Sequence, residues 1–237
     1  MIVRADLHNH SCLSPCGDLH ASPSAIARTA ATRGIDLMAL TDHNSARNSP
    51  AFGEACRRFG IEPLFGMEVT SREEVHLLAL FGELEQALEF DREIYRLLPD
   101  IPNDPHRFGD QVVVDIDEVI LEEVPRFLLT AVEADIDEIG SMVHAAGGLF
   151  IPAHADRASY SMTSQLGFLP DGAYDAVEIT VWPPLPGAHR YALECSSDAH
   201  YLEDVGRRTT TFEAEAPSFA ALKAALSDRA TTLSISS

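Results

Sequence analysis

The chain has 237 residues with 37 acidic against 17 basic side chains, so its formal net charge is -20. Hydrophobic residues make up 46% of it, and no apolar run reaches the roughly 20 residues of a membrane-spanning helix, so a mostly disordered chain and a membrane protein are excluded. A chain of this charge repels a phosphate backbone at long range, so we expect that duplex nucleic acid is not a partner.

Apolar runs alternate with amphipathic segments along most of the chain, which is the pattern of a β/α repeat. The predicted elements in chain order are a strand at 2–7, a helix at 22–34, a strand at 35–40, a helix at 50–59, strands at 61–68 and 75–81, a helix at 84–98, a helix at 132–146, strands at 149–153, 176–180, 193–197 and 209–212, a helix at 218–227 and a short last strand. We expect residues 1–237 to form a single domain.

Residues 99–125 interrupt this alternation. They contain four prolines, a Gly109-Asp110 turn signal and a β-prone run at 112–114. The sequence therefore predicts an inserted loop or hairpin in this segment.

Histidines and carboxylates follow nearly every predicted strand, at the point where the apolar run ends. In a parallel β/α barrel the carboxyl ends of the strands gather on one face, so we expect these side chains to share one pocket. One further histidine, His76, opens the strand at 75–81. The strand-end residues are His8, His10, Asp42, His43, Glu68, His154, Asp198 and His200.

The pair His8 and His10 lies on one side of an extended segment, because strand side chains repeat every two residues. Two imidazoles on one side can bind a single ion. Histidine combined with carboxylates, and without cysteine at a usable spacing, favours zinc, manganese or iron over calcium.

These motifs resemble those of the PHP (polymerase and histidinol phosphatase) family. The resemblance is carried by DLHNHS at 6–11, TDHN at 41–44, Glu68 with His76, PAH at 152–154 and SDAH at 197–200. It implies a distorted (β/α)7 TIM-like barrel, a cluster of two to three divalent metal ions (Mn, Zn or Fe) and hydrolysis of phosphoesters.

The resemblance also implies which residues bind each ion. The loop at 14–18 is longer than the Ser-Asp-Gly of the commoner family pattern, so the remaining ligand of the third ion is assigned to Asp18, with Cys16 and His20 as alternatives. The implied ligand sets are His8, His10, Glu68 and Asp198 for a first ion, Glu68, His76 and His154 for a second, and His43 and His200 with Asp18 for a third.

The implied chemistry needs no protein nucleophile, since divalent ions can activate a water molecule and stabilise the leaving alkoxide. We expect Glu68 and Asp198 to be the catalytic carboxylates. Arg157 follows His154 by three residues, so we expect its guanidinium to bind a phosphoryl oxygen of the substrate.

The leading interpretation is a cytoplasmic phosphoesterase that acts on a small phosphorylated metabolite or nucleotide. The four cysteines are too few for a disulfide scaffold, which favours a reducing compartment. Three alternatives stay open: an exonuclease-type phosphodiesterase on single strands, an amidohydrolase-like enzyme and a non-catalytic metal-binding regulatory module. The amidohydrolase alternative is weakened because the one lysine, Lys223, lies outside every strand end.

Overall fold

A computed structural model describes residues 1–235. The longest helix has 14 residues, and none of the helices in this range is long and apolar enough to cross a bilayer. The elements are β1 (Ile2–Asp6), α1 (Pro23–Thr32), β2 (Leu37–Leu40), α2 (Ser49–Phe59), β3 (Glu62–Thr70), β4 (His76–Phe81), α3 (Leu84–Leu97), α4 (Pro105–Phe108), β5 (Val112–Val114), β6 (Ile120–Glu123), α5 (Ile136–Ala145), β7 (Leu149–Pro152), α6 (Met162–Leu166), β8 (Val177–Glu178), β9 (Leu193–Glu194), β10 (Thr209–Glu213), α7 (Phe219–Ser227) and β11 (Thr231–Ser234).

A seven-stranded sheet with the order β11-β10-β1-β2-β3-β4-β7 forms the centre of the fold. The pairs β1–β2 and β2–β3 are parallel, whereas β1–β10, β10–β11, β3–β4 and β4–β7 are antiparallel. The predicted α/β class is therefore confirmed, with a curled sheet that is consistent with a distorted TIM-like barrel. The mixed pairing differs from the parallel strand arrangement from which the sequence argument started.

The two-stranded parallel sheet β8–β9 lies between the two edges of the large sheet. The backbone N–H of Asp175 donates to the carbonyl of Phe150 in β7, and the Thr231 hydroxyl in β11 donates to the carbonyl of Leu193 in β9. The small sheet is therefore linked to both edge strands of the large sheet, β7 and β11.

Helix α5 shows how local sequence sets an element boundary. It begins at Ile136, and not at the predicted 132, because Asp135 and Glu138 form a capping box in which each side chain accepts from the backbone N–H of the other. The N–H of Val132 donates instead to the carbonyl of Thr70 at the end of β3. The apolar face of the helix, with Ile139 and Val143, is buried in the core.

The inserted segment is a hairpin, as the sequence predicted, and it also contains the short helix α4. Strands β5 and β6 pair antiparallel, and the N–H of Val112 donates to the carbonyl of Cys12. Gly109 lies so close to the loop after β1 that a Cβ at this position would be 2.1 Å from the carbonyl oxygen of Pro15. The hairpin therefore supports one side of the 12–18 loop.

Gly66 in β3 is the position where an added methyl group is expected to be most damaging in the sheet. A Cβ there would lie 2.1 Å from the backbone oxygen of Ala79 in β4, and that oxygen is held by the pairing of the two strands. We expect Gly66→Ala to lower the free energy of unfolding by about 3 kcal/mol or more. Gly34→Ala is the control, since nothing lies within 4 Å and the cost there is about 1 kcal/mol. Urea unfolding followed by circular dichroism measures the free energy of unfolding of both variants. An equal loss of stability in the two would contradict the expectation.

Candidate metal centre

The strand ends converge on one face, as the sequence predicted, but His76 reaches it by a different route. It lies at the start of β4, which pairs antiparallel with β3 so that His76 is opposite Thr70. Strand β7 is antiparallel to β4 in turn, with Leu77 opposite Pro152, and His154 follows two residues later. Two successive antiparallel pairings therefore bring the beginning of β4 and the end of β7 to the same place as Glu68.

Glu68 is the centre of the cluster and is fully buried. Its Oε1 is 2.8 Å from His76 Nδ1 and 3.0 Å from His154 Nε2, and its Oε2 is 3.1 Å from His43 Nδ1. The Nε2 atoms of His8 and His10 lie 3.3 Å from Oε1 and Oε2 respectively. A single carboxylate thus contacts imidazoles from four different strand ends.

Asp198 closes the opposite side of the cluster. Its Oδ1 is 3.2 Å from His10 Nε2, 3.4 Å from His8 Nε2 and 3.6 Å from His200 Nδ1. Asp198 and His154 both have a positive φ, of 49° and 27°. Such backbone costs energy in a residue with a side chain and occurs preferentially at functional sites, where the surrounding structure holds it.

Burial and close contacts shift the pKa values of the cluster in different directions. Burial alone would raise the pKa of Glu68, but the imidazoles of His76 and His8 outweigh it and hold that pKa well below its usual range. Burial lowers the pKa of His200 to about 4. For His10 the effect of burial is reversed by the nearby carboxylates of Asp198 and Glu68, which raise its pKa to about 9. A metal ion bound here would displace protons from the imidazoles.

The residues present fit a group of divalent cations. Three sets of ligand atoms have all members within 4.8 Å of one another. Three buried atoms, His43 Nδ1, His76 Nδ1 and Asp198 Oδ1, make no hydrogen bond within residues 1–235, although buried polar atoms normally have a partner. Imidazole and carboxylate donors suit zinc, manganese and iron. The three sets are His8 with His10, Glu68 and Asp198; His43 with Glu68 and His76; and His10 with His43 and His200.

Eight of the nine expected ligands are thus brought together, and Asp18 is the exception. Its Oδ1 accepts a hydrogen bond from the backbone N–H of His20, and its carboxylate contacts none of the other expected ligands among the described residues. His154 is also outside the three sets, but its Nε2 lies 3.0 Å from Glu68 Oε1. His20 itself lines a separate surface groove beside Leu19. Of the alternatives considered for the third ion, Cys16 lies at the cleft.

The cleft above the cluster has a volume of about 260 Å³. Arg157 lies on its rim, 44% exposed, and its Nη1 donates to Asp198 Oδ2. Tyr160 forms another part of the rim and stacks on His76, with ring centroids 4.7 Å apart and an interplanar angle of 13°. A phosphoryl group entering this cleft would meet a guanidinium and the imidazoles at once.

Sequence reasoning missed two side chains that support the cluster. Ser14 Oγ lies 3.0 Å from His10 Nδ1 and donates to Asp42, which also accepts from the N–H and hydroxyl of Ser11. Glu178 Oε2 lies 3.0 Å from His8 Nδ1. The signal for Glu178 was present, because a carboxylate inside an otherwise apolar strand run requires a partner when buried.

Comparison with known proteins gives both family and structural matches. The PHP domain matches residues 6–165, and the PHP-associated region matches residues 188–231. A PolC-type DNA polymerase III from Streptococcus suis (strain 98HAH33) is 40% identical over 65 residues, which are 27% of this chain and 4% of the polymerase.

Two solved structures have the same fold. Endonuclease Q, crystallised with a 27-mer duplex substrate carrying an abasic lesion, superposes with a TM-score of 0.73 at 21% identity, over 96% of this chain and 57% of the endonuclease chain. A protein of Bifidobacterium adolescentis assigned to the metal-dependent phosphoesterases gives a TM-score of 0.58 at 16% identity, over 83% and 87% of the two chains. The chain therefore spans little more than half of the endonuclease and a small part of the polymerase.

The prediction that duplex nucleic acid is not a partner is wrong. A structure of the same fold holds a DNA duplex at its active site, so the fold is compatible with a duplex. The prediction used the net charge of -20, which sums over the whole surface. Binding at a cleft responds to the local charge, and Arg157 brings a positive charge to the rim of this one.

Proposed function

Since the chain belongs to the PHP-domain family of metal-dependent hydrolases, we propose that it hydrolyses phosphoesters at the cluster around Glu68. The observation that carries the proposal is the position of Glu68, whose two carboxylate oxygens lie between the ligand sets of two ions. A carboxylate between two such sets is the arrangement that a two-ion site for phosphoryl transfer needs.

The chain's own residues have distinct roles in this proposal. His8, His10 and Asp198 would hold one ion with Glu68, and His76 and His154 a second with the same carboxylate. His43 and His200 would hold a third, whose remaining ligand is proposed as Asp18 or Cys16. Bound ions would lower the pKa of water and neutralise phosphoryl oxygens. Arg157 would bind a non-bridging oxygen with its planar fork of donors.

A small phosphorylated metabolite or nucleotide is the first candidate substrate, because a cleft of about 260 Å³ has room for a phosphoryl group and a small attached group. A phosphodiester in nucleic acid is the second candidate. It is favoured by the likeness to endonuclease Q over 96% of this chain. The exposed rim formed by Arg157 and Tyr160 would also leave room for a longer chain to pass over the cleft.

We also propose that the described residues form one distorted barrel and one domain, in which β8 and β9 fill the gap between β7 and β11. The support is that these two strands contact both edges of the large sheet. Limited proteolysis should then give no stable fragment that contains only part of the barrel.

The proposal predicts that the purified protein binds at least two divalent ions per chain. Without ions, Glu68 would be a fully buried carboxylate balanced only by protonated imidazoles, which is a costly arrangement. Elemental analysis after gentle purification, followed by titration with Mn²⁺, Zn²⁺ and Fe²⁺, measures the stoichiometry. A saturating value below one ion per chain would contradict the cluster.

The same preparation can be used to compare the two substrate candidates. Phosphate release is measured with sugar phosphates, amino-alcohol phosphates and nucleotides, and cleavage is measured with single-stranded and duplex oligonucleotides, including a duplex with an abasic site. Metal-stripped protein is the control. Turnover of none of these substrates by the fully loaded protein would contradict phosphoester hydrolysis and favour the non-catalytic metal-binding alternative.

A further inference from the structure

Two glutamates lie side by side under the cluster, on the pair of strands β8 and β9. Glu178 and Glu194 occupy equivalent positions in the parallel register, and neither side chain is exposed to solvent. Two buried carboxylates in contact range are expensive, since each loses its hydration and repels the other. Their presence therefore calls for specific partners, and the two residues have different ones.

Glu178 contacts two of the proposed metal ligands through one oxygen atom. Its Oε2 is 3.0 Å from His8 Nδ1 and also accepts a hydrogen bond of 2.8 Å from the backbone N–H of His154. The other nitrogen of His8, Nε2, faces Glu68 and Asp198 at 3.3 and 3.4 Å. One carboxylate oxygen thus contacts both His8, a proposed ligand of the first ion, and His154, a proposed ligand of the second.

Glu194 contacts the backbone of the barrel instead. Its Oε2 accepts from the hydroxyl of Ser196, whose Oγ in turn accepts from the N–H of Leu7 at the end of β1. Burial, and then the nearby charge of Glu178, raise the pKa of Glu194 well above its usual range. The two glutamates therefore have separate partners: Glu178 contacts the proposed ligands, and Glu194 contacts Ser196.

We propose that Glu178 is a positioning residue that holds His8 with Nε2 directed at the metal ions and fixes the backbone at His154. This inference rests on the proposed metal centre. A carboxylate that accepts from Nδ1–H sets the tautomer and the ring orientation of a histidine ligand and makes its other nitrogen a better donor. The contact to His154 also helps to hold the backbone there at its positive φ of 27°.

The test compares Glu178→Gln with Glu194→Gln. Both changes keep the side-chain shape at a fully buried position in the same small sheet, but only the first replaces a carboxylate that is hydrogen-bonded to proposed ligands. We expect Glu178→Gln to weaken binding of Zn²⁺ or Mn²⁺ by about 10- to 100-fold. Glu194→Gln should change it less than about threefold. Competition with a chromophoric chelator measures both affinities without any activity assay.

A second measurement reports on His8 directly. In long-range ¹H–¹⁵N spectra of the Zn²⁺-loaded protein, the Nδ1–H signal of His8 should move upfield in Glu178→Gln and stay in place in Glu194→Gln. A role confined to packing would not move this signal. Thermal unfolding of the metal-free variants shows whether either change weakens the fold itself.

Several results would overturn the inference. One is equal metal affinity in Glu178→Gln and the unmodified protein, and another is an equal loss in both variants. If Glu178→Gln does not fold, Glu178→Asp is measured, since its shorter side chain keeps the charge but should not reach both contacts. Failure of both to fold would make Glu178 a structural residue. An unmodified protein that binds no ions would contradict the proposed function instead.

Discussion

Replacing Glu68 with glutamine is expected to lower phosphoester turnover by about 10²- to 10³-fold. Loss of one preorganised electrostatic group at an active site costs about 10²–10³-fold, and Glu68 lies between the ligand sets of two proposed ions. Glutamine keeps the size of the side chain but has no charge with which to join the two sets. Turnover on the best phosphoester found, together with metal content, measures the effect.

The matched control for Glu68→Gln is Glu62→Gln. Glu62 lies in the same strand but at its exposed beginning, so this change should leave turnover and metal content unaltered. Circular dichroism of both variants shows whether the fold is retained, as we expect for a residue on the catalytic face. If turnover in Glu68→Gln falls only in parallel with loss of the folded state, Glu68 is a structural carboxylate and not a bridging ligand.

Arg157→Ala is expected to reduce kcat/KM by about 10- to 150-fold while metal content stays unchanged. A charge-assisted hydrogen bond to a phosphoryl oxygen contributes about 1.5–3 kcal/mol, which corresponds to this range. The guanidinium lies on the cleft rim and is already held there by Asp198, so little reorganisation is needed to reach a substrate. Arg157→Lys should recover only part of the loss, because an ammonium group cannot reproduce the planar fork.

Arg58→Ala is the control for Arg157→Ala. Arg58 is about as exposed, its carboxylate partner Glu54 lies on the same helix, and neither residue lines the cleft. Its removal should change kcat/KM by less than about twofold, because exposed pairs of this kind contribute little. A loss below about threefold in Arg157→Ala would show that the metal ions alone hold the phosphate.

The affinity of the site for metal ions should depend on pH. The pKa of His10 is raised to about 9 by Asp198 and Glu68, so near neutral pH an ion must displace a proton from this imidazole. Binding is therefore expected to tighten as the pH rises from 6 toward 9. A raised pKa means that His10 keeps its proton up to a higher pH. The competition between proton and metal ion therefore weakens only as the pH approaches 9.

Much of the secondary structure could be predicted from the sequence because its causes are local. The alternation of apolar and amphipathic segments, Pro23 after Ser22 and the turn residues in the insert each act within a few residues. Helices α2, α3 and α7 accordingly lie within a residue of the predicted bounds. The strand-end positions of the histidines and carboxylates were visible for the same reason.

The sequence by itself therefore determined the element order and the set of side chains that gather at the site, whereas tertiary structure decided how they meet. Antiparallel pairing of β3 with β4, a long-range choice, brings His76 to Glu68. The fold of the 12–18 loop places Cys16 at the cleft and gives Asp18 Oδ1 a hydrogen bond from the N–H of His20. The contact between Glu178 in β8 and His8 after β1 joins residues 170 positions apart and depends on tertiary structure alone. Strand pairing and the burial of charged side chains depend on residues far apart in the chain, so they cannot be predicted from the local spacing of residues.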